Sequence, residues 1–171
     1  RADYEKALGQ LEEVDYPVVL SSIAATYMNE GNIDEAKATL ERALAIDPTH
    51  VSSLKMMCAI EAAQGNLEEA EALLAKIPED EVLHPTTLMN MGLANFNEGN
   101  MDIAKVYMDR TIRDHPEVGT AYYYRGLIDL NLGDTDAAKA DFEKFLELEP
   151  ESPQAAEAKE YLSYLTGGDG S

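Results

Sequence analysis

An all-α fold built from repeated helix–turn–helix units is predicted by three features of this sequence. The hexapeptide "GNIDEA" at Gly31 returns as "GNLEEA" at Gly65, "GNMDIA" at Gly99 and "GDTDAA" at Gly133, a fixed step of 34 residues. Small residues recur in register with those glycines: Ala36, Ala70, Ala104 and Ala138 five positions after, and Ala24, Cys58, Gly92 and Gly126 seven before. The flanking stretches carry apolar residues at helical spacing, as in Leu20, Ile23, Ala24 and Tyr27 before the first glycine and Ile33, Ala36, Leu40 and Ala43 after it.

Each element follows from one of these columns. Glycine ends the first helix of a unit, where left-handed backbone costs it little. The Asn or Asp beside it is placed to cap the second helix. The two columns of small residues let the helices approach closely, since a larger side chain there would overpack. Pro48, Pro116 and Pro150 close their units, with Val82 breaking that column. The units are 17–50, 51–84, 85–118 and 119–152, followed by a closing helix over 153–165 and a flexible tail, "TGGDGS", over 166–171. The second unit ends early at "AKIPEDEVLHP", where Pro78 shortens its helix and leaves a longer acidic loop. Upstream, "DYEKALGQLEEV" within residues 1–16 reads as the second helix of a truncated preceding unit.

Charge narrows the function. The 171 residues carry 33 Asp plus Glu against 13 Lys plus Arg, a net charge of −20. That field repels phosphate backbones, and no basic cluster offsets it, which argues against nucleic-acid binding; the same field speeds encounter with a basic partner. No apolar run approaches the roughly 18 residues that span a bilayer. The chain opens at Arg1 with neither Met nor a hydrophobic leader and reads as a fragment or processed product. A compartment is not fixed by the sequence; the cytoplasm and a bacterial cell envelope both remain open.

Catalytic chemistry finds no convergent group of residues. His50, His84 and His115 all fall in the loops between units, and equivalent positions in successive units lie about 10 Å apart, too far to share a metal bound at about 2.1 Å. Cys58 lies in a close-contact column and is expected to be a buried, inert thiol. Acidic runs such as "PEDEV" and "ELEPES" lack the ligand spacing of a calcium loop, and "TGGDGS" has neither the lysine nor the following helix of a phosphate loop. The expectation is a non-enzyme with no catalytic residue, no metal and no cofactor. Arg125 stands in a usually apolar column, and Asp141 in the partner helix is its expected counter-charge.

The period and its small-residue columns resemble the tetratricopeptide repeat (TPR) family. The resemblance covers about nine-tenths of the chain. It departs at a column often held by tyrosine, kept as Tyr27 but replaced by Glu61, Asn95 and Asp129. It implies an α-solenoid coiled into a right-handed superhelix, the segment 153–165 serving as its solvating cap, with the first helix of each unit lining a concave groove. The groove positions are then Lys55 and Met56 in the second unit, Met89, Asn90, Phe96 and Asn97 in the third, and Tyr123, Tyr124 and Leu127 in the fourth. Over all four units the groove positions grade from small and polar, as in Ser21, Ser22 and Ala25 of the first, toward Met- and Tyr-rich, side chains suited to peptide contact. The clamp by which some TPRs grip carboxylate termini is not supported: Lys55 and Asn90 fill two of its places, but Ala59, Thr120 and Tyr124 supply no positive charge. The implied function is a non-catalytic interaction scaffold holding a neutral or basic peptide of a protein partner. A recognition domain of a larger enzyme and a self-associating scaffold stand as alternatives.

Overall fold

The computed structural model describes residues 16–167. Among these it contains nine helices and no strand: α1 (Tyr16–Asn29), α2 (Ile33–Ile46), α3 (Val51–Gln64), α4 (Leu67–Leu74), α5 (Pro85–Asn97), α6 (Met101–Asp114), α7 (Gly119–Leu132), α8 (Thr135–Leu148) and α9 (Ala155–Leu165). The helix expected within residues 3–14 lies outside the described residues, as do 168–171. The chain divides into two compact halves, one ending at Val82 and the other beginning at Leu83.

Each reversal is made by the same backbone device. Gly31, Gly65, Gly99 and Gly133 take φ of 77°, 78°, 84° and 83°, the left-handed region. The amide of the next residue reaches back five positions, Asn32 to Tyr27, Asn66 to Glu61, Asn100 to Asn95 and Asp134 to Asp129, while the glycine amide bonds the carbonyl three positions back. This pair of bonds is the Schellman closure, and it satisfies carbonyls the helix end would leave orphaned. Gly167 repeats the conformation at φ 73° after α9. The first two residues of the expected tail, Thr166 and Gly167, therefore finish a helix.

The Asn residues at these turns do something other than the expected capping. Asn32, Asn66 and Asn100 make no side-chain cap bond; only Asp134 does, accepting from the Ala137 amide at 3.1 Å. Their amide groups instead donate backward: Asn66 Nδ2 to Glu61 at 2.7 Å and Asn100 Nδ2 to Asn95 at 3.3 Å. The turn is thus tied to the helix it leaves.

Packing follows the small-residue columns. Ala24, Cys58, Ala36, Ala70, Ala104 and Ala138 are all fully buried. A Cβ built on Gly92 would lie 2.7 Å from Met108 and 3.2 Å from Tyr107, and one on Gly126 would meet the Phe142 ring at 3.0 Å. The helix pairs close to a distance that those positions alone permit. The shortened helix of the second unit is α4, which ends at Leu74, ahead of Pro78.

The departures from the tyrosine column turn into buried polar contacts. Glu61 accepts from Lys37 of α2 at 2.8 Å, and Asp129, 1% exposed, accepts from Lys105 of α6 at 2.5 Å. Asn95 donates to the Met91 carbonyl at 3.0 Å. Arg125 pairs with Asp141 as expected, through Nε and Nη2, both at 2.7 Å, and its Nη1 also donates to Asp109 at 2.7 Å. Hydrogen bonding to Asp141 holds the guanidinium well above its ordinary range, while burial pushes the Asp141 carboxyl upward against the pull of Arg125. Desolvation thus opposes the charge of both partners and outweighs the pairing only at the carboxylate.

Two outcomes follow for stability. Ala104→Leu is expected to destabilise by about 1–3 kcal/mol through overpacking, checked by urea denaturation; an unshifted midpoint would mean the column is not tight. Arg125→Met is expected to cost about 3 kcal/mol by stranding Asp141, whereas the pair Arg125→Met with Asp141→Leu, the residues at the matching positions Met57 and Leu73, should recover most of it. A double variant as unstable as the single one would show that the ion pair contributes more than an apolar contact.

Candidate protein-interaction face

The C-terminal half brings most of the expected groove residues onto two first helices, α5 and α7. Met89, Leu93 and Phe96 project from α5 at spacings of three and four and lie half-buried against a core of Ala104, Met108, Ala121 and Ile128; Tyr124 of α7 packs on the same core. Leu127 rests on the adjoining cluster around Phe142 and Phe145. Asn90 is half-buried and, among the described residues, its side chain makes no hydrogen bond, while Asn97 is exposed at the end of α5. The result is an apolar, aromatic surface in which the Asn90 amide is free to both donate and accept.

Tyr123 is placed differently from the expectation. It is 3% exposed, with its ring 5.1 Å from Phe145, 6.0 Å from Phe142 and 5.3 Å from Tyr124. Its hydroxyl donates to Glu157 of α9 at 2.7 Å, and Tyr161 donates to the same carboxylate at 3.0 Å. Burial, then the Glu157 carboxylate, raises the Tyr123 hydroxyl well above its ordinary range. The cause is α9 itself, which lies over this ring and makes it part of the core. Glu157 stands one period after Tyr123 and was the available sequence signal for that contact.

Lys55 and Met56 belong to the N-terminal half and are also engaged within it. Lys55 Nζ donates to Glu81 of the long acidic loop at 2.5 Å, so the expected anchor already holds a counter-charge. Met56 packs on the cluster of Ala24, Ala36, Leu40, Met57 and Ile60. A contact missed from the sequence organises the start of α7: Glu149, at the end of α8, accepts from the Thr120 amide at 2.9 Å, supplying a carboxylate to a helix N-terminus. A Cβ on Gly119 would stand 2.8 Å from that side chain.

The residues considered for chemistry have structural duties. His115 Nε2 donates to the Leu83 carbonyl at 2.7 Å, His50 Nδ1 lies 2.9 Å from the Ser53 hydroxyl, and His84 Nδ1 lies 2.8 Å from that of Thr86. Cys58 is buried with its sulfur 3.5 Å from the Ala70 carbonyl. Among the described residues no cluster of His, Cys, Asp or Glu is arranged to hold a metal ion, and no helix is long and apolar enough to cross a membrane.

Paired helices with an adaptable surface on the first of each pair define a helical-repeat scaffold for protein interaction. Profiles of the tetratricopeptide repeat match residues 1–60 and 27–86, 86–117 and 119–152, and the chain belongs to the tetratricopeptide repeat family. No curated protein matches the sequence. Among solved structures, YrrB, described as a TPR protein with an unusual peptide-binding site, aligns with a TM-score of 0.78 at 17% identity over 96% of this chain and 82% of that one. The MamA protein aligns at 0.73 with 21% identity over 90% and 84%. PilF of Pseudomonas aeruginosa aligns at 0.62 with 20% identity over 93% and 79%. At these identities the likeness is one of fold.

The two neighbouring tyrosines are expected to separate in stability. Tyr123→Ala empties a buried ring site and should cost about 3–5 kcal/mol, whereas Tyr124→Ala, half-buried, should cost about half as much. Thermal melts of the two variants check this; equal losses would mean that Tyr124 is as much a core residue as its neighbour.

Proposed function

We propose that this protein is a non-catalytic scaffold that holds a neutral or basic peptide segment of a protein partner across α5 and α7 of its C-terminal half. The observation that carries the reading is the composition of that face: Met89, Phe96, Tyr124 and Leu127 offer adaptable and aromatic area, and Asn90 stands among them with an uncommitted amide. A few large side chains of this kind concentrate interface energy, at about 2 kcal/mol or more each. The amide suits a peptide backbone, which offers one donor and one acceptor per residue. Tyr123 stays outside the contact set because α9 already uses it, and Lys55 is spent on Glu81. The net charge of −20 disfavours an acidic ligand. YrrB, with its printed peptide-binding site, supports the general mode without assigning a partner here.

The test uses affinity capture from the native lysate with wild-type protein and two variants, Tyr124→Ala on the proposed face and Lys139→Ala on α8. Tyr124→Ala is expected to lose the bound segment by at least about tenfold, the equivalent of roughly 1.4 kcal/mol, and Lys139→Ala to retain it. Equal retention by both variants would move the site elsewhere.

A further inference from the structure

A cavity of about 400 Å³ opens between α6, α7 and α8, lined by Lys105, Asp109, Arg125, Asp129, Ala137, Ala140 and Asp141. None of the residues of the proposed peptide face lines it. Its walls carry two cations and three carboxylates, and both cations are already spoken for: Lys105 on Asp129, Arg125 on Asp141 and Asp109. The carboxylates differ in what they retain. Asp141 gives both oxygens to Arg125, whereas Asp109 gives only Oδ1 and is the most exposed of the three, at 49%. Ala137 and Ala140 supply the open volume, because longer side chains on α8 would fill it.

Lys105–Asp129 has a counterpart in Lys37–Glu61, but the Arg125–Asp141 pair of this cluster is particular to one place in the repeat. The positions matching Arg125 in the other units are Ile23, Met57 and Met91, and those matching Asp141 are Thr39, Leu73 and Tyr107. Uncharged side chains therefore serve at these positions elsewhere, and a buried ion pair is generally no more stabilising than well-packed apolar residues. Local rules broken without a stability gain concentrate at functional sites. The volume is within the range of small-ligand sites, about 300–1,000 Å³.

We propose that the cavity receives an arginine or lysine side chain of a protein partner, its charge against the unspent oxygen of Asp109 and its methylene stem along Ala137 and Ala140. The surplus of one carboxylate and the net charge of −20 favour a cation over an anion, and paired Lys105 and Arg125 offer an anion little. Long basic side chains lay their stems on apolar surface while the head stays with polar groups. This site is separate from the α5–α7 face, so it stands or falls independently of the peptide reading.

The experiment titrates the full chain, labelled with nitrogen-15, with three acetylated and amidated tripeptides, Gly-Arg-Gly, Gly-Glu-Gly and Gly-norleucine-Gly, at one ionic strength. The arginine peptide is expected to shift the Ala137 and Ala140 amide resonances saturably, and the other two to leave them in place. Asp109→Asn should weaken the arginine peptide about tenfold, as loss of a charge-assisted hydrogen bond does. Ala140→Leu should abolish its shifts with an unchanged melting temperature, since the added side chain fills open space. Absence of a saturable shift, equal shifts from all three peptides, or shifts that survive both substitutions would overturn the proposal. Spermidine binding more tightly than the arginine peptide would also overturn it, assigning the cavity to a free polyamine.

Discussion

The left-handed turn at each glycine is the constraint on which the remaining contacts depend. With φ between 77° and 84°, a residue carrying a Cβ would be strained there, although open space surrounds all four positions. The requirement is therefore conformational and not steric. Because the turn consumes a fixed number of residues, it sets the phase of the second helix against the first. That phase decides that Gly92 faces Ala104 and Met108 and that Gly126 faces the Phe142 ring. Had the turn been one residue longer, each small column would have rotated by about 100° and a larger side chain would have entered the contact.

With the hairpins closed this tightly, one set of departures falls between one hairpin and the next. There the protein has replaced a column of tyrosine by acids and an amide, and each acid has recruited a lysine from the preceding second helix: Lys37 for Glu61 and Lys105 for Asp129. Such pairs contribute modestly to stability, because the Coulomb gain is set against desolvation. Their effect is on register, since a carboxylate with 1% exposure tolerates a neighbour of one sign only. Arg125 carries this further by joining Asp109 of α6 to Asp141 of α8, so three helices meet at a single side chain.

Much of this architecture was legible in the sequence because it is periodic. The four glycines and the small columns each state a local physical requirement that recurs, and recurrence separates signal from accident; the shortening before Pro78 was legible from proline's missing amide alone. The pairing of Arg125 with Asp141 was legible for a related reason: a charge in an apolar column must find a partner on the facing helix. What escaped was contact chemistry that the period does not encode. The Asn66 and Asn100 side chains donate backward to Glu61 and Asn95 and make no forward cap. Gly167 continues the glycine column, yet without a helix-forming stretch after it the position reads as tail.

Tyr123 and Tyr124 show why a binding face is harder to read than a fold. Both are aromatic, both lie on α7, and helical geometry separates them by only about 100°. Membership of the face is decided by what the next helix covers, and α9 covers one of them. It brings Glu157 to the Tyr123 hydroxyl and stacks Tyr161 on Phe142 at 5.1 Å and 15°. Tyr124 turns instead toward the α5 side, where Met89, Leu93 and Phe96 share its core. In a repeat chain the surface available to a partner is whatever remains after each first helix has met its successor. Lys55, taken by Glu81 from a loop that exists only because α4 stops early, follows the same rule from the other half of the chain. The proposed face left over after these internal claims is smaller and less charged than the sequence suggests, and Asn90 stands within it with its side-chain amide uncommitted. On the proposal made above, a matching partner would bring apolar side chains first and a backbone amide second.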